Sequence, residues 1–274
     1  PSPAPTPTPT PAPAPSPGYD LSSDFSRDRS FNAMGFRRVE TFMTGSPSRV
    51  DYSFDANTSM IGFDFTAATN TYRARYNGDG LTTTTTRIPS PTGYSFDSSG
   101  GGFDSFLRSN SERNDYAGYV SWASSVAPTP ADASTRNIQR LMLFGARTVS
   151  ANIPTAGSAT FNGSTTTTFV GAGTTGESAT VTIDFAARTF NVVTGFRMPA
   201  LGNAGSGINP QPARPVTMSG TLDPFTGRVS GTVTLGDERG SFEGALYGPR
   251  AAEIGILFSI GTTASYFGQL LARR

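Results

Sequence analysis

The chain has 274 residues, a net charge of +1 and 15% charged residues, against about 25% in ordinary soluble domains. It contains no His and no Cys, and all 21 of its basic residues are Arg. Those absences exclude zinc sites of the usual N/S type, Ser-His-Asp and Cys-His nucleophilic catalysis, Lys Schiff bases and the Lys-bearing P-loop.

Carboxylate-pair chemistry and pure binding survive that filter. The near-neutral charge gives no strong field for nucleic acid or an anionic membrane. No window approaches the roughly 20 apolar residues of a transmembrane helix. The chain opens on Pro1 with neither Met nor a signal peptide, which reads as a processed or trimmed N-terminus.

In chain order, residues 1–17 carry Pro at every odd position. Such a tract cannot collapse into a core and favours polyproline II, about 3.1 Å per residue, or roughly 50 Å of semi-rigid spacer. It reads as a stalk, with an inert tail or a ligand for a Pro-binding domain as the alternatives. From Gly18 onward short strands and turns take over. Val50, Tyr52 and Phe54 alternate with Asp51 and Ser53, the polar turn 55–58 follows, and Ile61, Phe63 and Phe65 resume the alternation. That pattern predicts a hairpin. Thr71–Tyr76 predicts another strand, 82–106 is Thr/Ser/Gly-rich with isolated aromatics, and Ala131–Gln139 offers at most a turn or two of helix.

A second strand-rich block begins near Thr148. Val181, Ile183 and Phe185 are predicted to point one way and Thr180, Thr182 and Asp184 the other. Further alternating runs follow at Phe190–Val192, Val216–Leu222, Val229–Leu235, Ser241–Tyr247, Ile254–Ile260 and Ser265–Leu271. Short antiparallel strands without intervening helices predict a small closed barrel or a sandwich, and the glycines within the strands favour the barrel.

Three segments carry a resemblance. Ile153–Gly163 (IPTAGSATFNG) resembles the opening strand of transferrin-binding-protein-like barrels. Gly240–Gly255 (GSFEGALYGPRAAEIG) resembles their F-x-G-x-[FL]-Y-G-P-x-A-x-E-x-G segment, and Tyr266-Phe267-Gly268 their closing strand. Together these cover roughly residues 144–274. The chain thus resembles the lobes of transferrin-binding protein B, in particular the barrel of the C-lobe, and related solute-binding surface lipoproteins of Gram-negative bacteria; factor H-binding protein has a similar barrel. The resemblance implies an all-β chain: a Pro-rich stalk (1–18), a β-rich handle (19–147) and an eight-stranded antiparallel barrel (148–274). Tyr116–Trp122 is similar to the last aromatic strand of the handle. One handle and one barrel fit this length, not two of each, so transferrin binding does not carry over.

Within the matching segment, Pro249 is expected to end a strand, Arg250-Ala251-Ala252 to make a turn, and Glu253 to bond nearby backbone N–H groups. That motif marks fold and carries no chemistry. Asp97, Asp104, Asp237 and Glu238 are explained by solvated turns, Asn77-x-Asp79 is too short for a Ca²⁺ loop, and no His backs iron ligation through Tyr. No catalytic residue, metal site or cofactor is expected, and the chain is read as no enzyme. Two loops join exposed-type aromatics to Arg, the residue types that dominate interfaces. They are Ser98–Arg108, with Phe103, Phe106 and Arg108, and the opening of the long connection to Pro215, with Phe196, Arg197 and Met198. The alternative at each is that the rings pack inward.

The expected function is that of a surface-exposed outer-membrane lipoprotein that binds a protein or solute. A TonB-dependent receptor as partner, and a lipid anchor on a Cys preceding Pro1, are implied by the resemblance alone. An adhesin or coat protein, and a glycan-binding or glycan-active module, are the alternatives.

Overall fold

The computed structural model describes residues 18–22, 26–43, 45, 47–55, 61–69, 71–76, 85–90, 93–97, 103–106, 114–127, 134–169, 173–197, 212–263 and 265–274, with 85–90, 93–97 and 103–106 as backbone alone. The described chain is all-β, with a single 3-10 turn at Ser150–Asn152. Among these residues no helix is long and apolar enough to cross a membrane.

The N-terminal sheet is organised around β1 (Arg29–Phe42). Its Arg29–Asn32 stretch pairs with β3 (Gly62–Thr66), while Gly35–Thr41 and Ala33–Phe42 are flanked on opposite edges by β2 (Arg49–Asp55) and β9 (Thr135–Gly145). The hairpin expected from residues 50–65 is therefore not formed. Its two strands are real, but each pairs with a different stretch of β1, because that strand is long enough to serve both. From β3 the chain runs through β4 (Thr71–Arg75), β5 (Thr85–Ser90), β6 (Gly93–Asp97), β7 (Phe103–Phe106) and β8 (Ala117–Val126), and β9 returns to β1. The sheet so curls back on itself. Two expectations are corrected. Residues 135–139 open strand β9 instead of forming helix, and Tyr116–Trp122 belongs to the next-to-last strand of this sheet.

β1 has two apolar faces. Phe31 and Ala33 join Phe63, Trp122, Met142 and Phe144 in the sheet's own core. Met34 and Phe36 point the other way, toward the barrel. Between them Gly35 lies under the Tyr76 ring, where any Cβ would collide with that ring's edge.

The second unit is a closed barrel of β10 (Ser158–Phe169), β11 (Gly173–Asp184), β12 (Thr189–Phe196), β13 (Arg214–Leu222), β14 (Arg228–Leu235), β15 (Glu238–Tyr247), β16 (Glu253–Ile260) and β17 (Tyr266–Arg273). Every neighbour is antiparallel, and β10–β17 pairing over Asn162–Phe169 closes it. Val181, Ile183 and Phe185 all point inward, as expected, and each is buried. Gly220 sits opposite Gly231, and a Cβ on either would run into the facing strand's backbone, so glycine lets these two strands cross closely.

The two units meet along an apolar seam. Met34, Phe36, Leu141 and Leu143 of the sheet pack on Ala245, Tyr247, Leu257 and Phe267 of the barrel. At its centre Phe36 stacks on Phe267, ring centroids 5.3 Å apart.

Candidate functional site

The seam sets the two units side by side, which gives the molecule two distinct ends. At one, the turns after β11, β13 and β15 lie beside the start of β8 and the connection 146–157. The N-terminal segment docks here. The Tyr19 hydroxyl accepts hydrogen bonds from Val149 N–H (3.2 Å) and Asn152 Nδ2 (2.9 Å), and its ring stands edge-on to Tyr116. Ser22 donates its backbone N–H to the Asp115 carbonyl at 2.7 Å. The Pro tract therefore joins the folded body at this end.

Glu253 lies at the same end. It opens β16 and points out of the barrel into the seam, where it is 3% exposed. Its carboxyl accepts N–H groups from three consecutive residues: Asp115 at one oxygen, Tyr116 (3.0 Å) and Ala117 (2.8 Å) at the other. Burial pushes its pKa up to about 7; the three N–H groups pull the other way, and the Asp115 charge adds to the rise. The preceding turn has Arg250 and Ala251 at φ 52° and 56°. Beside it Gly248, at φ 72°, gives room to the Tyr116 ring, which would strike a Cβ there. The amides bound by Glu253 are 136 to 138 residues away in sequence, not in its own hairpin as expected.

The opposite, loop-bearing end is where β1, β8, β10, β12, β14 and β16 end and β2, β9, β11, β13, β15 and β17 begin. Arg38 ties sheet to barrel here, reaching the Thr263 carbonyl (3.4 Å) and pairing with Glu40 (3.1 Å). Three apolar side chains stand exposed at the sheet's rim: Phe42 (40%), Met43 (47%) and Val126 (36%). Phe42 stands opposite Thr135 and Val126 opposite Arg136, so the two flank the start of β9 from either side and, because side chains alternate along a strand, leave the sheet on opposite faces. Arg49, with its ion pair to Asp51, stands opposite Thr41 beside them.

The sequence-predicted residues divide. Arg197 stands at this same end, exposed, with its Nε 3.0 Å from Glu177. Phe196 packs inward, 2% exposed, its ring edge-on to Tyr266 at 5.0 Å. Phe103 and Phe106 lie in β7, whose antiparallel register against β8 (Asp104 opposite Trp122) puts the start of β7, at Phe103, toward the loop-bearing end. Arg108 and Met198 lie outside the described residues. Phe42, Met43 and Val126 were not singled out from sequence. The signal was an apolar pair overrunning a strand end next to Gly45-Ser46-Pro47. Among the described residues no cluster of three or more acidic side chains, His or Cys is placed to hold a metal ion.

No protein-family model matches the chain, and no curated protein does. Solved structures do. HpuA of Kingella denitrificans, in complex with human haemoglobin, matches over 94% of this chain and 91% of its own at 15% identity and a TM-score of 0.44. The N-lobe of lactoferrin-binding protein B of Moraxella bovis matches over 63% and 80% at 13% identity, TM-score 0.41. A transferrin-binding protein B of Actinobacillus pleuropneumoniae matches over 89% and 99% at 11% identity, TM-score 0.46. The likeness is one of fold. Against an intact transferrin-binding protein B with both lobes, the chain spans 46% of the relative's length.

Proposed function

We propose that this chain is a surface-displayed binding protein that captures a protein ligand with its loop-bearing end. On this reading residues 1–18 are the stalk, 19–147 the handle and 148–274 the barrel. The observation that carries the proposal is that Phe42, Met43 and Val126 stand exposed along the sheet's rim at the end opposite the one where the Pro tract joins the body. Exposed aromatic and Met side chains beside Arg are the composition of interface cores. Here they stand where a stalk would present them outward. Arg197 and the start of β7 at Phe103 lie at the same end and extend the surface. The proteins of similar fold bind haemoglobin, lactoferrin and transferrin by name, so a host protein is the ligand class to test first. A lipid on a Cys before Pro1, and hand-over to a TonB-dependent receptor in the outer membrane, complete the reading.

The test is surface plasmon resonance of the full chain against haemoglobin, lactoferrin and transferrin, repeated with F42S/M43S and, as a control at the other end, F225S. Binding of one ligand that weakens tenfold or more in the double variant and is unchanged in F225S is expected. Binding that is lost only in F225S would place the site at the wrong end.

A further inference from the structure

The joint between barrel and sheet contains one ionisable group that the binding reading does not use. Glu253 receives its three N–H donors unevenly, one at Oε1 from Asp115 and two at Oε2 from Tyr116 and Ala117. A neutral carboxyl can satisfy that pattern completely. Its carbonyl oxygen accepts two N–H groups through two lone pairs, and its hydroxyl oxygen accepts one while carrying the proton. The three amides thus keep their partners in either protonation state. What changes is whether a full negative charge is held inside the seam.

We infer that Glu253 makes the seam a proton-linked joint, in which barrel and N-terminal sheet grip more tightly when the carboxyl takes up a proton and less tightly when it gives one up.

Burial of the carboxyl, which is 3% exposed, sets this direction, and the neighbouring charges modulate it. Asp115, on the segment leading into β8, adds a like charge. Tyr247 and Arg273, on β15 and β17, are its two cross-strand partners. Arg147 lies beyond Tyr247, donating to the Ala33 carbonyl at 3.3 Å. Arg250 belongs to the adjoining turn, and Asp20 on the N-terminal segment is held by Arg27 and Arg29 at 2.9 and 3.1 Å. In the closed seam the Glu253 pKa is about 7, against an ordinary value of 4.5 when the seam opens to water. The closed state therefore binds the proton more strongly. Its stability rises as pH falls from above 7 toward 4.5, levels off below that, and is at its lowest above 7. Across the window the folded-to-unfolded ratio changes on the order of a hundredfold.

The background is quiet, because the chain has no His and no Cys to titrate between pH 5 and 8. The experiment is urea unfolding of the full chain at half-unit steps over that range, with Glu253→Gln and Asp115→Asn alongside. Wild type should lose stability with rising pH, about a hundredfold in the folding constant. E253Q should be flat, and D115N should move the midpoint to lower pH. A flat wild-type profile, or an undiminished slope in E253Q, overturns the inference. Should E253Q fail to fold, an unmoved midpoint in D115N overturns it instead.

Discussion

Phe36 is fully buried in the seam, with Phe54 and Tyr52 on one side at 5.1 and 6.1 Å and Phe267 stacked beneath it. Truncating such a ring removes its transfer energy and leaves a cavity that two rigid sheets cannot collapse into. Phe36→Ala should therefore cost about 3–5 kcal/mol in urea unfolding. A loss below about 1 kcal/mol would mean that the seam contributes little to the fold. Glu253 teaches a related lesson at the same scale. Its motif marked a backbone-bonding carboxylate in the sequence, but the amides it binds belong to another unit. In-hairpin amides were unavailable, since Glu253 pairs with Tyr247 and Arg273 across the sheet and its side chain faces away from both strands into the seam. Nothing in the local sequence carries that distant contact.

Among the elements, legibility followed alternation. The barrel strands away from the seam, β11 to β13, have one wet and one dry face, so Val181 and Ile183 could be sided correctly from period 2 alone. β1 has no such signature, because Ala33, Met34, Gly35 and Phe36 are all buried, two against each neighbour. A strand covered on both faces reads as an unpatterned run, and with β1 unseen, β2 and β3 were joined to each other. The same explains β9, whose Leu141–Phe144 stretch is buried on both faces. Facing within the barrel makes a sharp prediction. Val181 is fully buried, whereas Val193 on the adjoining strand is 63% exposed between Thr180 and Thr217. Val181→Ala should cost roughly 1–3 kcal/mol, while Val193→Thr should stay within about 0.5 kcal/mol of wild type. Thermal unfolding of both would check this, and equal losses would contradict the inward facing of β11.

At the scale of the whole molecule, the order of sheet and barrel was legible because composition and motif change abruptly at Gly18 and near Thr148. The two ends were not, since they arise from how the seam aligns the units. That alignment separates two parts of the N-terminal region that a sequence reading treats alike. The Pro tract has a stiff backbone with few states to lose on ordering. Tyr19 and Ser22, immediately after it, make specific hydrogen bonds to the 149–152 connection and to the segment that opens β8. A deletion of residues 2–17 should therefore leave the urea midpoint unchanged. A deletion of residues 2–22 should lower stability by about 1–3 kcal/mol, because several hydrogen bonds and the Tyr19–Tyr116 contact go with it. In cells carrying the chain on an anchor upstream of Pro1, the shorter deletion should also reduce antibody access to the folded body without altering its amount. Loss of folding on removing 2–17 would show that the tract belongs to the body. Equal stability of the two deletions would show that the Tyr19 and Ser22 contacts hold nothing, and the end from which the body is tethered would then be open.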